Sequence, residues 1–178
     1  PVKDYGNDLN NWSVGIRLTY GDNSFVMCGD AENQAEEDIV NSGAVLKADV
    51  LKAGHHGSST STSDAFLKKV SPTWVVIQCV KGNSYGHPHK ETMEKLKKAG
   101  CQILRTDEEG TITAFSDGRT ITWSTGSGTF SSGSSADSAD NHTGNHSTLS
   151  SYVINTNTGK FHHPDCASAT QMKPENRK

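Results

Sequence analysis

Three polar clusters, each lying just after a short apolar run, hold the residues of this 178-residue sequence whose types and spacing suit hydrolytic chemistry. Asp30 follows the run Phe25 to Cys28, the pair His55-His56 follows Val50 to Ala53, and His87 with His89 follows Trp74 to Val80. A carboxylate can bridge two cations, while neutral imidazoles bind each one and leave a position open for water, which then ionises near neutrality. Gly54 and Gly57 flank the histidine pair and permit a tight turn with close approach of a substrate to the backbone. Just beyond them, Ser58, Ser59 and Thr60 offer hydroxyl and amide donors for an anionic oxygen.

Each cluster also has a simpler use. An Asp after a glycine more commonly caps the next helix. A lone His87 in a loop is usually solvated, and His89 directly before Lys90 reads as a helix-start residue and not as a ligand. The His55-His56 pair between two glycines tips the other way, because such loops rarely hold two imidazoles at a strand end without a use for them.

The elements that must position these residues alternate between strand and helix. Ser13 to Tyr20 has period-two patterning with Val14, Ile16, Leu18 and Tyr20 on one side, which predicts a half-buried strand ending in a hairpin turn at Gly21-Asp22-Asn23. Ser24 to Cys28 gives a second strand, Ala31 to Asn41 an acidic helix stopped by Ser42-Gly43, and Ala48 to Ala53 a third strand. Ser63 is placed to cap a short helix through Val70, and Trp74 to Val80 is almost wholly apolar, as in a strand buried on both faces. Lys90 to Ala99 is the clearest helix, with Met93 and Leu96 on one face and Glu91/Lys95 and Glu94/Lys98 at pairing distance. Gln102 to Arg105, Thr111 to Phe115 and Thr120 to Ser124 read as three strands of a meander, turned at Asp107 to Gly110 and at Asp117-Gly118. The sum is a layered α/β domain with a mixed sheet, whose strand ends bring the polar clusters to one edge.

Composition bounds the function. Seventeen Lys and Arg stand against twenty Asp and Glu, interspersed, for a net charge of −3, so no basic block marks a nucleic-acid binder that works by charge alone. An enzyme that grips a phosphodiester through metal ions needs fewer cationic contacts. No apolar run approaches the length of a membrane span, and Pro1-Val2-Lys3-Asp4 lacks the pattern of a signal peptide. Cys28, Cys79, Cys101 and Cys166 are widely separated and form no disulfide framework; Cys28 and Cys79, inside strand-like runs, read as small buried hydrophobes. Residues 125–150 are rich in Gly, Ser, Thr, Asn and Asp and read as a flexible linker, and the segment after it is too short to build its own core.

Three longer strings carry a resemblance: Asp49-Val-Leu-Lys-Ala-Gly-His-His-Gly-Ser-Ser-Thr-Ser, Asn83-Ser-Tyr-Gly-His-Pro-His89 and Arg105-Thr-Asp-Glu-Glu-Gly-Thr-Ile112. With Asn10-Asn-Trp-Ser-Val-Gly-Ile-Arg-Leu18 and Gly29-Asp30, in the same order, they resemble the metallo-β-lactamase-like domain of ComEC-type competence proteins. The resemblance implies that residues 1–124 are the C-terminal half of an αββα sandwich. It implies a metal-dependent phosphodiester hydrolase acting on DNA, with two Zn²⁺ or Mn²⁺ ions, in an extracytoplasmic or secreted bacterial setting. In that scheme Asp30 bridges the metals, one of His55 and His56 is a ligand while the other meets substrate, and His87 approaches the scissile phosphate as donor or general acid. Asn11 and Ser13, with Asn10, stand where many relatives carry a third histidine, and Ser58, Ser59, Asn83 and Tyr85 lie on the substrate side.

The family's His-x-His-x-Asp-His cluster, which belongs to the N-terminal half of such domains, does not occur in these residues. That missing half is therefore an implied partner, and this chain alone is expected to be inactive. The tail, Ser151-Tyr-Val-Ile-Asn-Thr-Asn-Thr-Gly-Lys-Phe-His-His-Pro-Asp-Cys166 and onward, resembles an incomplete zinc-binding module of Ada-type repair proteins over residues 151–178, which implies Cys166 and His162 as zinc ligands. A different functional class stays open: a non-catalytic nucleic-acid- or surface-binding module that uses the lactamase-like half as scaffold.

Overall fold

The computed structural model describes residues 2–126 in full, together with the backbone of the strand segments 128–132, 153–155 and 160–162. The chain divides into two compact units, Pro1–Ser135 and Ala136–Lys178.

In the first unit, β1 (Ile16–Tyr20) and β2 (Asn23–Met27) form the expected antiparallel hairpin, with Tyr20 opposite Asn23 across the turn. From β2 onward the sheet runs parallel through β3 (Val50–Lys52), β4 (Trp74–Ile77) and β5 (Gln102–Arg105), in the spatial order β1-β2-β3-β4-β5. Each parallel crossover needs a connection over one face, and α1 (Asn33–Asn41), α2 (Asp64–Val70) and α3 (Lys90–Lys98) supply them. Val26, Leu51, Val75 and Ile77 point to the helices and join Ala35, Phe66, Leu67 and Leu96 in one buried core. The residues between them in the strands, Phe25, Val50, Trp74, Val76 and Leu104, face the other way.

That second face meets a separate antiparallel sheet of β6 (Thr113–Ser116), β7 (Ile121–Thr125) and β8 (Gly128–Ser132). Val50, Trp74 and Leu104 pack against Ile121 and Trp123 of β7, and the two indole rings lie 5.2 Å apart. The unit is thus layered helix, sheet, sheet, which bears out the mixed α/β expectation. The meander is a correction. β5 belongs to the parallel sheet, and Asp107 to Gly110 is no hairpin turn: Thr106–Glu109 form a single helical turn, α4, that carries the chain from one sheet to the other. The meander is instead β6-β7-β8, and its third strand lies inside the stretch whose composition suggested a linker.

β1 is the other correction. Val14, Ile16, Leu18 and Tyr20 are 52–68% exposed, not half-buried. As an edge strand β1 pairs only with β2, and its apolar row stays more than half exposed. Alternation in the sequence marks a strand with an apolar side; it does not supply the layer that covers it.

The helix signals hold. Ser63 accepts a hydrogen bond from the Phe66 amide, and Ser71 ends α2 in the left-handed conformation ahead of Pro72. Ser63→Ala should lower stability by about 1 kcal/mol, read as a shift in the urea midpoint at unchanged slope. In α3 the observed pair is Lys90–Glu94, at 3.5 Å, while Lys95 leaves the helix surface to donate to the Thr62 carbonyl at 2.7 Å. Cys28 is buried as expected, which pushes its thiol up to about 11. Cys79 lies just past β4, half-buried, and donates to Asp107.

In the second unit the described backbone is one antiparallel pair, β9 (Val153–Asn155) with β10 (Lys160–His162), which sets Val153 opposite His162. Cys166 and most of the expected linker and tail module lie outside the described residues.

Candidate functional site

The C-terminal ends of the parallel strands open on one edge, and the polar loops after them meet there, as the sequence pattern led us to expect. Asp30 follows β2. Its amide donates to Ser13 Oγ at 3.0 Å, and Gly29, with φ +57, comes so close to Ser13 that an added Cβ would lie 2.9 Å from the hydroxyl. The chain leaves β3 through Gly54 into a tight 3₁₀ turn at Gly54–Gly57, pinned to the β2 end by His55 N donating to the Gly29 carbonyl. Within that turn His55 (φ 44, ψ 48) and His56 (φ 56, ψ 22) both occupy the left-handed region, which costs a non-glycine residue of order 1 kcal/mol each. Two strained residues in succession direct both imidazoles to the open edge.

Hydrogen bonding fixes the proton positions on these rings. His55 Nδ1 lies 3.1 Å from Glu32 Oε1, and His56 Nδ1 lies 2.8 Å from the Gln78 carbonyl. Carboxylate and carbonyl oxygens only accept, so in each neutral ring Nδ1 carries the proton and Nε2 presents a lone pair. His56 Nε2 faces Asp30 Oδ1 at 3.5 Å, with both side chains accessible at 46% and 39%. His89 is the reverse case. Its Nδ1 accepts from the Ser59 amide at 3.0 Å and its Nε2 donates to the Tyr85 carbonyl at 3.0 Å, so both nitrogens are spent on tying two loops together. It occupies the N-cap position of α3, as expected of a helix-start residue, without capping through its side chain.

His87 stands among the other rings, 5.4 Å from His55, 6.5 Å from His56, 4.7 Å from His89 and 5.7 Å from Tyr85, centroid to centroid. Burial pushes its pKa below the ordinary imidazole value, and His89, His55 and His56 push the same way. His87 is therefore a neutral hydrogen-bonding ring at pH 7. Asn83 does not face outward. Its amide bonds the Val80 and His87 carbonyls and its Oδ1 accepts from the His87 amide, so it folds the 83–87 loop that carries His87. Tyr85, 77% exposed, stacks on His87 and is open to solvent.

Among the other candidates, Ser59 is exposed and Ser58 is buried, its hydroxyl paired with Thr60. Asn11 is not at the surface of the site at all. It is 2% exposed; its Oδ1 accepts from the Glu32 and Ala35 amides and its Nδ2 donates to Asp8, so it anchors the start of α1.

Three residues escaped the sequence analysis. Glu32 binds His55, Thr60 and Asn10; Glu36, 1% exposed, accepts from the Thr62 and Ser63 amides; half-buried Lys52 feels the charge of Asp30, while burial lowers its pKa overall. The first two sit in an acidic run that looks like a solvated helix face. A helix start turned so that one carboxylate meets loop side chains and the next meets loop amides has no sequence signal of its own.

Asp30 and His56 are an oxygen and an imidazole nitrogen converging on one point, a donor pair of the kind that suits Zn²⁺ or Mn²⁺. Among the described residues the convergence stops short of a complete set: no group of three or more His, Cys, Asp and Glu is placed to hold a metal ion.

No family model matches the chain. Over 103 residues, 58% of its length, it is 39% identical to ComE operon protein 3 of Bacillus subtilis, and 106 residues are 36% identical to competence protein ComA of Neisseria gonorrhoeae. A stretch of 103 residues is 35% identical to recombination protein 2 of Haemophilus influenzae. The chain spans only 13–15% of the length of these relatives. No helix among the described residues is long and apolar enough to cross a membrane.

Proposed function

We propose that this chain contributes half of a metal-dependent phosphodiester-hydrolysing site that acts on DNA during uptake. The observation that carries the proposal is the facing of Asp30 Oδ1 and His56 Nε2 at 3.5 Å. With the His56 proton committed to the Gln78 carbonyl, a carboxylate and a lone pair confront one another, and that repulsion is relieved by a cation between them. His55, with its own Nε2 free, stands beside them. Kinship with ComE operon protein 3 and competence protein ComA supports DNA as the substrate class.

Asp30 and His56 would hold one cation, His55 would face a second ion or the substrate, and the other ligands would come from a segment bearing the His-x-His-x-Asp-His cluster. A bound divalent ion lowers the pKa of water and offsets charge on a phosphoryl oxygen. The chain's own groups do the rest. His87, neutral and stacked on Tyr85, donates a hydrogen bond toward a phosphate oxygen, while the Ser59 hydroxyl is held by His89 Nδ1 at 3.0 Å.

The test joins the chain behind a family N-terminal half carrying that cluster and follows bis-p-nitrophenyl phosphate hydrolysis with Mn²⁺ or Zn²⁺. Asp30→Ala and His56→Ala should each lower the rate at least about a hundredfold while leaving the fold intact. Unchanged rates in both variants would overturn the proposal and favour a non-catalytic binding module.

A further inference from the structure

We infer that Glu32 is the positioning residue of this site, fixing His55 in the Nδ1–H tautomer so that Nε2 points to the site as a lone pair. Three donors converge on one oxygen of Glu32: His55 Nδ1 at 3.1 Å, Thr60 Oγ1 at 3.0 Å and Asn10 Nδ2 at 3.2 Å. They come from three segments, so a single carboxylate oxygen ties the strained histidine turn to the serine-threonine loop and to the loop before β1. The Glu32 backbone is itself anchored, its amide donating to the buried Asn11, and the next amide, of Asn33, donates to the Thr60 carbonyl at 2.8 Å. The acceptor therefore cannot drift without moving the start of α1.

The physical consequence is specific. A histidine ring free in water favours the proton on Nε2, which would turn a donor toward the site and abolish its use as a ligand. An oxygen that can only accept, held against Nδ1, reverses that preference. His56 reaches the same tautomer through a different acceptor, the Gln78 carbonyl, and so serves as an internal control. The tautomer itself does not depend on the metal-site proposal; only its purpose rests on that proposal.

The experiment is long-range ¹H–¹⁵N correlation of the histidine rings in the metal-free chain near pH 8, for the wild type, Glu32→Ala and Glu32→Gln. The wild type should show both His55 and His56 protonated on Nδ1. Glu32→Ala should move His55 to a mixture dominated by the Nε2–H form and leave His56 unchanged, and Glu32→Gln, which keeps an acceptor oxygen, should retain much of the Nδ1–H form. An Nε2–H His55 in the wild type overturns the inference whether or not any variant folds, as does a His55 signal unaffected by the loss of the carboxylate. Zn²⁺ titration then addresses purpose: affinity should fall about tenfold to a hundredfold in Glu32→Ala. A tautomer that responds without a change in affinity would uphold the positioning and count against the metal site.

Discussion

Gly57→Ala should destabilise the first unit by roughly 3 kcal/mol, the sum of a left-handed backbone imposed on alanine and an overpacked contact. Gly57 has φ +87, and an added Cβ would lie 2.6 Å from Pro88 Cβ and 3.1 Å from Pro88 Cα. Neither neighbour is the end of a flexible side chain, so the two loops must part. They are the loops that carry His56 and His87, and the Gly57 carbonyl also accepts the His89 amide. Gly82→Ala provides the comparison: φ is +72, but nothing lies within 4 Å, so only the backbone penalty of about 1 kcal/mol applies. Equal losses in urea for the two variants would show that the close approach of the loops is not as described.

Glu36→Ala should cost about 3 kcal/mol, because it leaves the Thr62 and Ser63 amides, now bonded at 2.6 and 2.7 Å, without an acceptor in a buried position. Thr62 has φ +53, so the carboxylate also holds a strained turn. Burial raises the Glu36 pKa above its ordinary value of 4.5, against the pull of the Ser63 and Thr62 hydrogen bonds and of Lys95. A carboxyl with a raised folded-state pKa contributes stability that is fully present below 4.5 and lost as pH rises through the folded value. Glu36→Gln cannot titrate. The stability difference between wild type and Glu36→Gln should therefore narrow as pH rises from below 4.5 toward neutrality, in urea midpoints taken at matched ionic strength. A difference that widens with pH would mean that the two amide bonds outweigh burial.

Much of the scaffold was legible in the sequence because its signals are local. Ser63 caps α2, Gly100 follows α3, and the apolar run from Trp74 is a strand flanked on both faces. The convergence of the Asp30, His55-His56 and His87 loops also followed from local facts, since parallel strands joined by helices put every strand-to-helix loop on one edge. What escaped depends on partners distant in sequence. Nothing local to Gln102 to Arg105 says which sheet the strand joins, and nothing local to Leu18 says whether a layer covers it. β8 was hidden by Ser, Gly and Thr, whose composition suits a linker as well as a strand of this sheet. Asn11 has the residue type of a substrate contact, yet its position beneath the start of α1 consumes it. Glu32 acts across 23 residues on His55, a relation that spacing cannot show.

The most direct measurement is a Zn²⁺ titration of the ¹⁵N-histidine-labelled chain, followed at the ring nitrogens in the wild type and in Asp30→Ala. The His56 Nε2 signal should shift on addition of metal while Nδ1 stays protonated, His89 should not respond, and Asp30→Ala should remove the His56 response. If His56 is unmoved at millimolar Zn²⁺, or responds identically without the Asp30 carboxylate, the facing pair is not half of a metal site and the proposed hydrolytic function loses its basis.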